Sequence, residues 1–120
     1  MSIRLAGVAA LAIVASTSAA AAQSSAVRSA HAAIVDNDLT RAERLLTAEQ
    51  RVFPHHPEVL INLAAVYART GRVQQASALY RQVLAREDVL LDLSADRTAT
   101  SHVIAETGLR RVGGAQTAAR

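Results

Sequence analysis

The sequence predicts an all-α fold built from antiparallel helix pairs. Three observations support this prediction: apolar residues recur at helical spacing, residues typical of tight turns separate the helical stretches, and the whole pattern recurs after 34 positions. The clearest copy occupies residues 57–84. We expect one small domain at residues 23–112, made of two repeats and a C-terminal helix that caps them.

Residues 1–22 are predicted to form a signal peptide rather than part of this domain. Arg4 supplies a positive charge, residues 5–14 are apolar, and the residues that follow are small. This order is typical of a secretory signal peptide, and the apolar run is too short for a transmembrane helix. Ala20 and Ala22 offer an A-x-A site, so we expect cleavage after Ala22 and a periplasmic or secreted protein. An uncleaved signal anchor is the alternative.

The first predicted helix covers residues 24–36. Its small or apolar side consists of Ala26, Ala30, Ala33 and Ile34. Asn37 ends this helix, because Asn tolerates left-handed backbone geometry. Asp38 can cap the next helix, and Thr40 with Glu43 offers an alternative start through a capping box.

The next three helices follow the same spacing. In the helix predicted at residues 39–52, one side carries Leu39, Ala42, Leu45, Leu46 and Val52. Pro54 ends that helix, and Pro57 suits the first position of the next, where its missing N–H needs no partner. Residues 57–84 hold two further helices separated by Gly71, which adopts left-handed geometry without steric cost. Their apolar residues are Leu60, Leu63, Ala64 and Tyr67, then Val73, Ala76, Tyr80, Val83 and Leu84.

The two helix pairs have the same register. Three pairs of residues lie 34 positions apart: Asn37 and Gly71, Ala42 and Ala76, Leu46 and Tyr80. A fixed period of this length indicates a helical repeat. With the motif Leu63-Ala64-x-x-Tyr67, then Gly71, Ala76 and Tyr80, the sequence resembles the tetratricopeptide repeat (TPR) family. The resemblance implies two antiparallel helices per repeat, stacked into a right-handed superhelix.

The sequence departs from the family pattern at several places. Leu60 stands where the family often has Trp, and Ala30 and Ala33 replace large residues of the first helix. Glu49 occupies a position where a small residue is usual, and Asp88 stands where a proline often closes the repeat. The first repeat is therefore the weaker copy.

The pattern changes after the second repeat. Residues 89–100 are compatible with either a short β-hairpin or an irregular loop. A last helix is predicted at residues 101–112, with Val103, Ile104, Leu109 and Val112 available for burial. Because a repeat leaves one apolar face open, we expect this helix to cap the second repeat. Residues 113–120 are predicted to be a disordered tail.

Composition excludes some functions. The formal net charge is +3, and the 13 basic residues are all arginines scattered among 10 acidic residues rather than clustered. Only three aromatic residues are present, so we expect no nucleic-acid partner. The chain has no cysteine, so packing alone must hold it together after export. The alanine-rich, lysine-free usage suggests a GC-rich bacterial coding sequence.

No catalytic or metal-binding pattern stands out. The histidines are His31, His55, His56 and His102. His102 and Glu106 share a helix face, but zinc needs three or four converging ligands, so we interpret the histidines as solvated and expect no metal or cofactor. The serines lie in no nucleophile motif, and Gly113 and Gly114 follow a helix instead of preceding one. We therefore expect that the protein is not an enzyme.

The TPR resemblance implies a binding face, because the first helix of each TPR repeat lines a concave groove. By this resemblance, the protein-binding residues are Arg28, His31, Ile61, Asn62, Ala65 and Arg69, with Val27 and Val35 beside them. Asn62 and Arg69 are expected to hold a peptide backbone or an acidic side chain. Ile61 and Ala65 replace two residues of the family's carboxylate clamp, so we expect no binding of C-terminal carboxylates. The alternative is that these residues are ordinary solvated surface.

The preferred hypothesis is an exported, non-enzymatic interaction module, a scaffold or adaptor in the cell envelope that binds a protein or peptide. After signal cleavage it would have no membrane span. The alternative is a structural component that forms homo-oligomers through the exposed apolar edge of its short repeat array. An enzyme or metal carrier that uses the histidines is the third hypothesis.

Overall fold

The structure is a computed structural model that describes residues 15–94 and 97–118 of the 120-residue chain. The predicted apolar segment at residues 5–14 lies outside the described residues. Within them the chain forms four helices, a two-stranded antiparallel hairpin and a fifth helix. Their bounds are α1 Ala15–Val35, α2 Leu39–Val52, α3 Pro57–Arg69, α4 Val73–Leu84, β1 Leu90–Ser94, β2 Arg97–Thr100 and α5 Ser101–Ala118. The predicted helix pairs and final helix are confirmed, and of the two alternatives for residues 89–100 the hairpin forms.

The turns inside the two helix pairs have the same backbone geometry. Asn37 and Gly71 both have positive φ angles, 59° and 80° respectively, which their residue types allow. The hydrogen bonds that close these turns also recur 34 positions apart: Asn37 N to Ile34 O and Asp38 N to Ala33 O in the first, Gly71 N to Ala68 O and Arg72 N to Tyr67 O in the second. The two pairs are therefore structural copies, including the pair with the weaker sequence pattern.

The start of α2 distinguishes the two predicted capping arrangements. The Asp38 carboxylate accepts a hydrogen bond of 3.2 Å from the backbone N–H of Arg41, so Asp38 is the N-cap. The alternative capping box does not form, because the Glu43 carboxylate pairs with Arg72 instead. Pro57 is the first residue of α3, as predicted.

The helices pack in two layers. Contacts between α1 and α3 and between α3 and α5 place these three helices side by side. Helices α2 and α4 pack against them, α2 on α1 and α3, and α4 on α3 and α5. Helix α5 therefore occupies the position that the first helix of a third repeat would take. It covers the open side of the second repeat, which is the predicted capping role.

The core lies between the two layers. Ala42 and Ala76, which occupy equivalent positions in the two pairs, are both fully buried, as are Ala30 and Ala64. Such small side chains let helix backbones approach closely. Among the described residues, the largest fully buried apolar side chains are Leu46, Leu60, Leu63, Val59, Val66 and Val83.

Two residues on the predicted apolar sides of helices are largely exposed. Val52 is 67% exposed, because it ends α2 and lies on the same row as Leu45, which is itself only partly buried. Val103 is 54% exposed, because the buried row of α5 consists of Ser101, Ala105, Gly108 and Val112. Val103 does not lie on that row.

The last helix is longer than predicted. The expected end was Val112, but α5 continues through Gly113 and Gly114 to Ala118. A helical glycine costs about 1 kcal/mol relative to alanine, which weakens a helix without ending it. The hydrogen bond from Thr117 Oγ1 to Gly113 O, at 3.0 Å, lies within this extension.

A carboxylate from the end of the second repeat caps α5 across the hairpin. Asp88 Oδ1 accepts hydrogen bonds from the His102 backbone N–H at 2.9 Å and from Ser101 Oγ at 3.2 Å. Ser101 and Val89 exchange two further bonds, Val89 N to Ser101 Oγ and Ser101 N to Val89 O. The hydrogen bond from His102 N–H holds the pKa of Asp88 below its ordinary value, although desolvation opposes this. The charged form of Asp88 therefore stabilises the junction between hairpin and α5.

This cap predicts a pH-dependent contribution to stability. The folded-state pKa of Asp88 is lowered, so its contribution is complete above the ordinary value of 3.8 and disappears as pH falls through the lowered value. Asp88→Asn keeps an acceptor but removes the charge. We expect the variant to unfold at lower urea concentration than wild type at pH 7, and the difference to shrink below about pH 4.

The matched control is Asp92→Asn on β1, since within the described residues the Asp92 carboxylate receives no hydrogen bond. If the difference in the urea concentration of unfolding between wild type and Asp88→Asn stays constant from pH 7 to pH 3, this result would contradict the charged cap.

Helix α5 lies against the Tyr80 side chain of α4 at Gly108. A Cβ atom added at this position would lie 2.3 Å from Tyr80 Cζ and 2.6 Å from the two adjacent ring carbons. Tyr80 is buried, so its ring has little room to move. The lack of a side chain at Gly108 therefore allows the aromatic ring to lie directly against the α5 backbone.

We expect Gly108→Ala to destabilise the fold by roughly 1–3 kcal/mol, because the added methyl overpacks the contact with Tyr80. Gly113→Ala in the same helix is the matched control, since nothing lies within 4 Å of the Cβ it would add. It should stabilise the protein by about 0.5–1 kcal/mol through helix propensity. Chemical denaturation measures both, and a Gly108→Ala variant as stable as Gly113→Ala would refute the close approach.

Candidate functional site

The side-by-side helices α1, α3 and α5 form one surface of the protein, and the hairpin lies against it. We call this surface the α1/α3/α5 face. Cavities open on it on both sides of Leu93 in β1. Leu91, in the same strand, is buried at 8% exposure. The hairpin is thus part of the wall of both cavities.

The first groove lies between α1, α3 and β1 and has a volume of about 420 Å³. It is lined by Val27, Arg28, His31, Ala32, Glu58, Ile61, Asn62, Leu91, Asp92, Leu93 and Ile104. A neighbouring cavity of about 670 Å³ continues it along β1 towards His56 and Pro57. Four of the six predicted binding residues, Arg28, His31, Ile61 and Asn62, come together here. Glu58 and Asp92 add negative charge, so the first groove is of mixed charge.

The second groove lies between α3 and α5 and has a volume of about 590 Å³. Its α3 wall consists of Ile61, Ala65, Ala68 and Arg69. Its α5 wall consists of Val103, Ile104, Thr107, Gly108, Arg111, Val112 and Ala115, and the remaining lining residues are Val73, Tyr80, Leu93, Arg97 and Ala99. The other two predicted binding residues, Ala65 and Arg69, are here, and Ile61 lines both grooves.

Arg69 has a structural role that the sequence did not indicate. Its Nη1 donates to Ile34 O at 3.1 Å and its Nη2 donates to Asn37 Oδ1 at 3.0 Å. These bonds tie the end of α3 to the left-handed turn between α1 and α2. Both acceptors are neutral, so the positive charge of Arg69 is not compensated by them.

Arg72 makes the corresponding link at the second turn. Its guanidinium donates to both carboxylate oxygens of Glu43, at 2.7 and 2.6 Å, and lies 4.5 Å from the centre of the Tyr67 ring. The hydrogen bonds from Arg72 hold the pKa of Glu43 below its ordinary value. Two arginines from the second repeat thus make polar links to the first repeat.

The histidines and acidic residues do not form a metal site within the described parts of the chain. His102 Nε2 lies 2.7 Å from the backbone oxygen of Arg86. Among residues 15–94 and 97–118, no three His, Asp or Glu side chains come together as a metal site would require. Within the same ranges, none of the helices has the length and apolar character needed to span a bilayer.

Sequence reasoning missed the residues that the hairpin and α5 contribute. Leu91 and Leu93 alternate along β1, a weak signal that one side of the strand is covered. The α5 residues Ile104, Thr107, Arg111 and their neighbours follow helical spacing, but spacing alone does not say which element they approach.

Comparison with known proteins gives one finding. A family model described as tetratricopeptide repeat matches residues 36–90, which include α2, α3 and α4 and end at the start of the hairpin. No curated protein and no solved structure matches the chain. The matched segment includes both left-handed turns and the salt bridge between Glu43 and Arg72.

Proposed function

We propose that this chain, whose residues 36–90 match the tetratricopeptide repeat family model, is a non-enzymatic interaction module that binds a segment of a partner protein on its α1/α3/α5 face. Such repeats are typically interaction modules without catalytic chemistry. The partner would be held in an envelope assembly in which this chain acts as a scaffold or adaptor.

The placement of the six expected binding residues supports this proposal. All of them line one of two adjoining grooves on a single surface, although they come from two helices 30 or more positions apart in sequence. Each groove combines apolar walls with a few polar groups, as binding sites commonly do. The Arg69 and Arg72 links hold the two repeats in a fixed relation, so a partner would meet a preformed surface.

Photo-crosslinking in cells that naturally express the protein tests this proposal. A photoreactive amino acid is placed at Asn62 in the first groove, at Ala65 in the second, or at Ala48 on α2 as control. Ala48 is exposed and lines neither groove. We expect adducts with a partner protein from Asn62 or Ala65 and none from Ala48. Equal yields from all three positions, or no adduct from either groove, would show that this face is not the binding surface.

We also propose that the protein acts after export, with the signal peptide removed. The order of Arg4, the apolar residues 5–14 and the A-x-A site supports this. Cleavage after Ala22 would shorten α1 to residues 23–35. The shortened helix retains Val27, Ala30 and Ala33, the α1 residues described as buried. The first repeat would therefore keep these contacts in the mature protein.

Mass spectrometry of the protein from its natural host is expected to find Gln23 as the first residue. Replacing Ala20 and Ala22 together by Leu should cause the uncleaved precursor to accumulate, because the cleavage site requires small residues. The same replacement at Ala19 and Ala21, which leaves the A-x-A pair intact, is the control. Normal processing of the Ala20 and Ala22 variant would be inconsistent with this site.

Self-association stays the alternative prediction. Val35 and Val52 are the largest exposed apolar side chains of the first repeat. They end α1 and α2, which run antiparallel, so they lie at opposite ends of the pair and form no common patch. This arrangement gives the alternative less support than the grooves give to a partner protein.

A further inference from the structure

The charged residues that line the second groove all have the same sign. Arg69, Arg97 and Arg111 come from α3, β2 and α5, and no acidic residue is among the described lining residues. The first groove differs, since Glu58 and Asp92 accompany its Arg28. The second groove therefore has a positive rim, which the first groove lacks. Its three arginines come from elements that are distant in sequence.

The floor beneath this rim is apolar. Ile61 and Ala65 on one wall oppose Ile104 and Val112 on the other, with Tyr80 between α4 and α5. The lining area is mostly contributed by such carbon-rich side chains, which favour an apolar occupant. A ligand that satisfies both features must combine an apolar stripe with negative charges beside it.

The dimensions of the groove suit a short helix. Its α5 wall follows one helix row from Ile104 to Ala115, which at 1.5 Å per residue is about 16 Å long. Two facing helices with an apolar floor between them present the kind of surface on which an amphipathic helix lays its apolar side. A segment of three turns would match this length.

The chain itself does not supply such a helix among its described elements. Within these, α2 carries two acidic residues, α3 and α5 carry one each, and α4 carries none. One of the two on α2, Glu43, is already paired with Arg72. A second copy of this chain is thus a poor match for the positive rim, and a different protein is the better one.

We propose that the second groove binds a short amphipathic helix of a partner protein, with Glu or Asp residues flanking its apolar stripe. This inference rests on the proposed interaction function and specifies the chemistry of the partner. The apolar stripe contacts the floor between α3 and α5, and the acidic residues pair with Arg97 and Arg111 at the rim. Arg69 contributes its charge while it holds the turn at Asn37.

The test uses the full chain and three fluorescein-labelled peptides in an anisotropy titration. The probe is a 16-residue helical peptide with Leu at i, i+3, i+4 and i+7 spacing and Glu on both flanks. The second peptide has Lys in place of every Glu, and the third has the probe's composition in an order that destroys the stripe. We expect the probe to bind at least about tenfold more tightly than either control, and less tightly as salt increases.

Variants locate the binding. Arg97→Gln combined with Arg111→Gln should weaken probe binding roughly three- to thirtyfold, the loss expected from two exposed ion pairs. Arg44→Gln combined with Arg51→Gln on α2 removes the same charge outside both grooves and should change affinity less than about twofold. Thermal melts monitored by circular dichroism verify that both double variants remain folded.

Several results would overturn this assignment. Equal affinity for the Glu and Lys peptides would remove the charge argument, and equal loss in the two double variants would place the peptide elsewhere. Binding of lauric acid without binding of the probe would assign the groove to a small amphiphile. Light scattering that shows a dimer dissociated by the Arg97 and Arg111 changes would assign it to a second copy.

The two proposals fail in different ways. If no peptide binds while Ala65 or Asn62 still crosslinks to a partner, the interaction function stands and the acidic helix is wrong. If neither position crosslinks, the interaction function itself is wrong.

Discussion

The contact between Tyr80 and Gly108 places α5 as the third helix of the α1/α3/α5 face. The Tyr80 ring occupies the space that a side chain at position 108 would need, so the α5 backbone lies directly against this side chain of α4. This approach brings α5 beside α3 and creates the second groove. Without it the face would end at α3, and the apolar side of the second repeat would be open to water. The absence of a Cβ atom at position 108 therefore affects both the packing of α5 on the second repeat and the formation of the second groove.

The first groove depends on a different constraint, the fixed relation between the repeats. Its walls come from α1 and α3, which belong to different repeats. Arg69 holds the turn of the first repeat, and Arg72 holds α2 through Glu43. Both arginines lie at or beside the end of α3, so one short segment adds polar links to the apolar packing of the first repeat on α3. Ala30 and Ala33 of the first repeat are themselves buried in the shared core.

Local sequence signals predicted the repeats well because each repeat is specified locally. The bounds of α2 and the left-handed turns follow from spacing, caps and residue type, which act over a few positions. The rest depends on contacts between distant segments. From the sequence alone, Gly108 is a residue that weakens a helix, and its contact with Tyr80 cannot be inferred. The acceptors of Arg69 on the first turn are likewise known only from the structure. No local pattern contains that information.

The hairpin gives this short array an asymmetry that repetition alone would not produce. The hairpin directly precedes α5, the third helix of the face. Leu93 lies between the two grooves, Asp92 lines the first groove and Arg97 lines the second. The groove on the α1 side gains negative charge from β1, and the groove on the α5 side gains positive charge from β2. Because opposite strands contribute opposite signs, the hairpin adds to the difference in charge that Glu58, Arg69 and Arg111 already give the two grooves. A segment lying across both grooves would meet a lining of mixed charge on one side of Leu93 and arginines on the other.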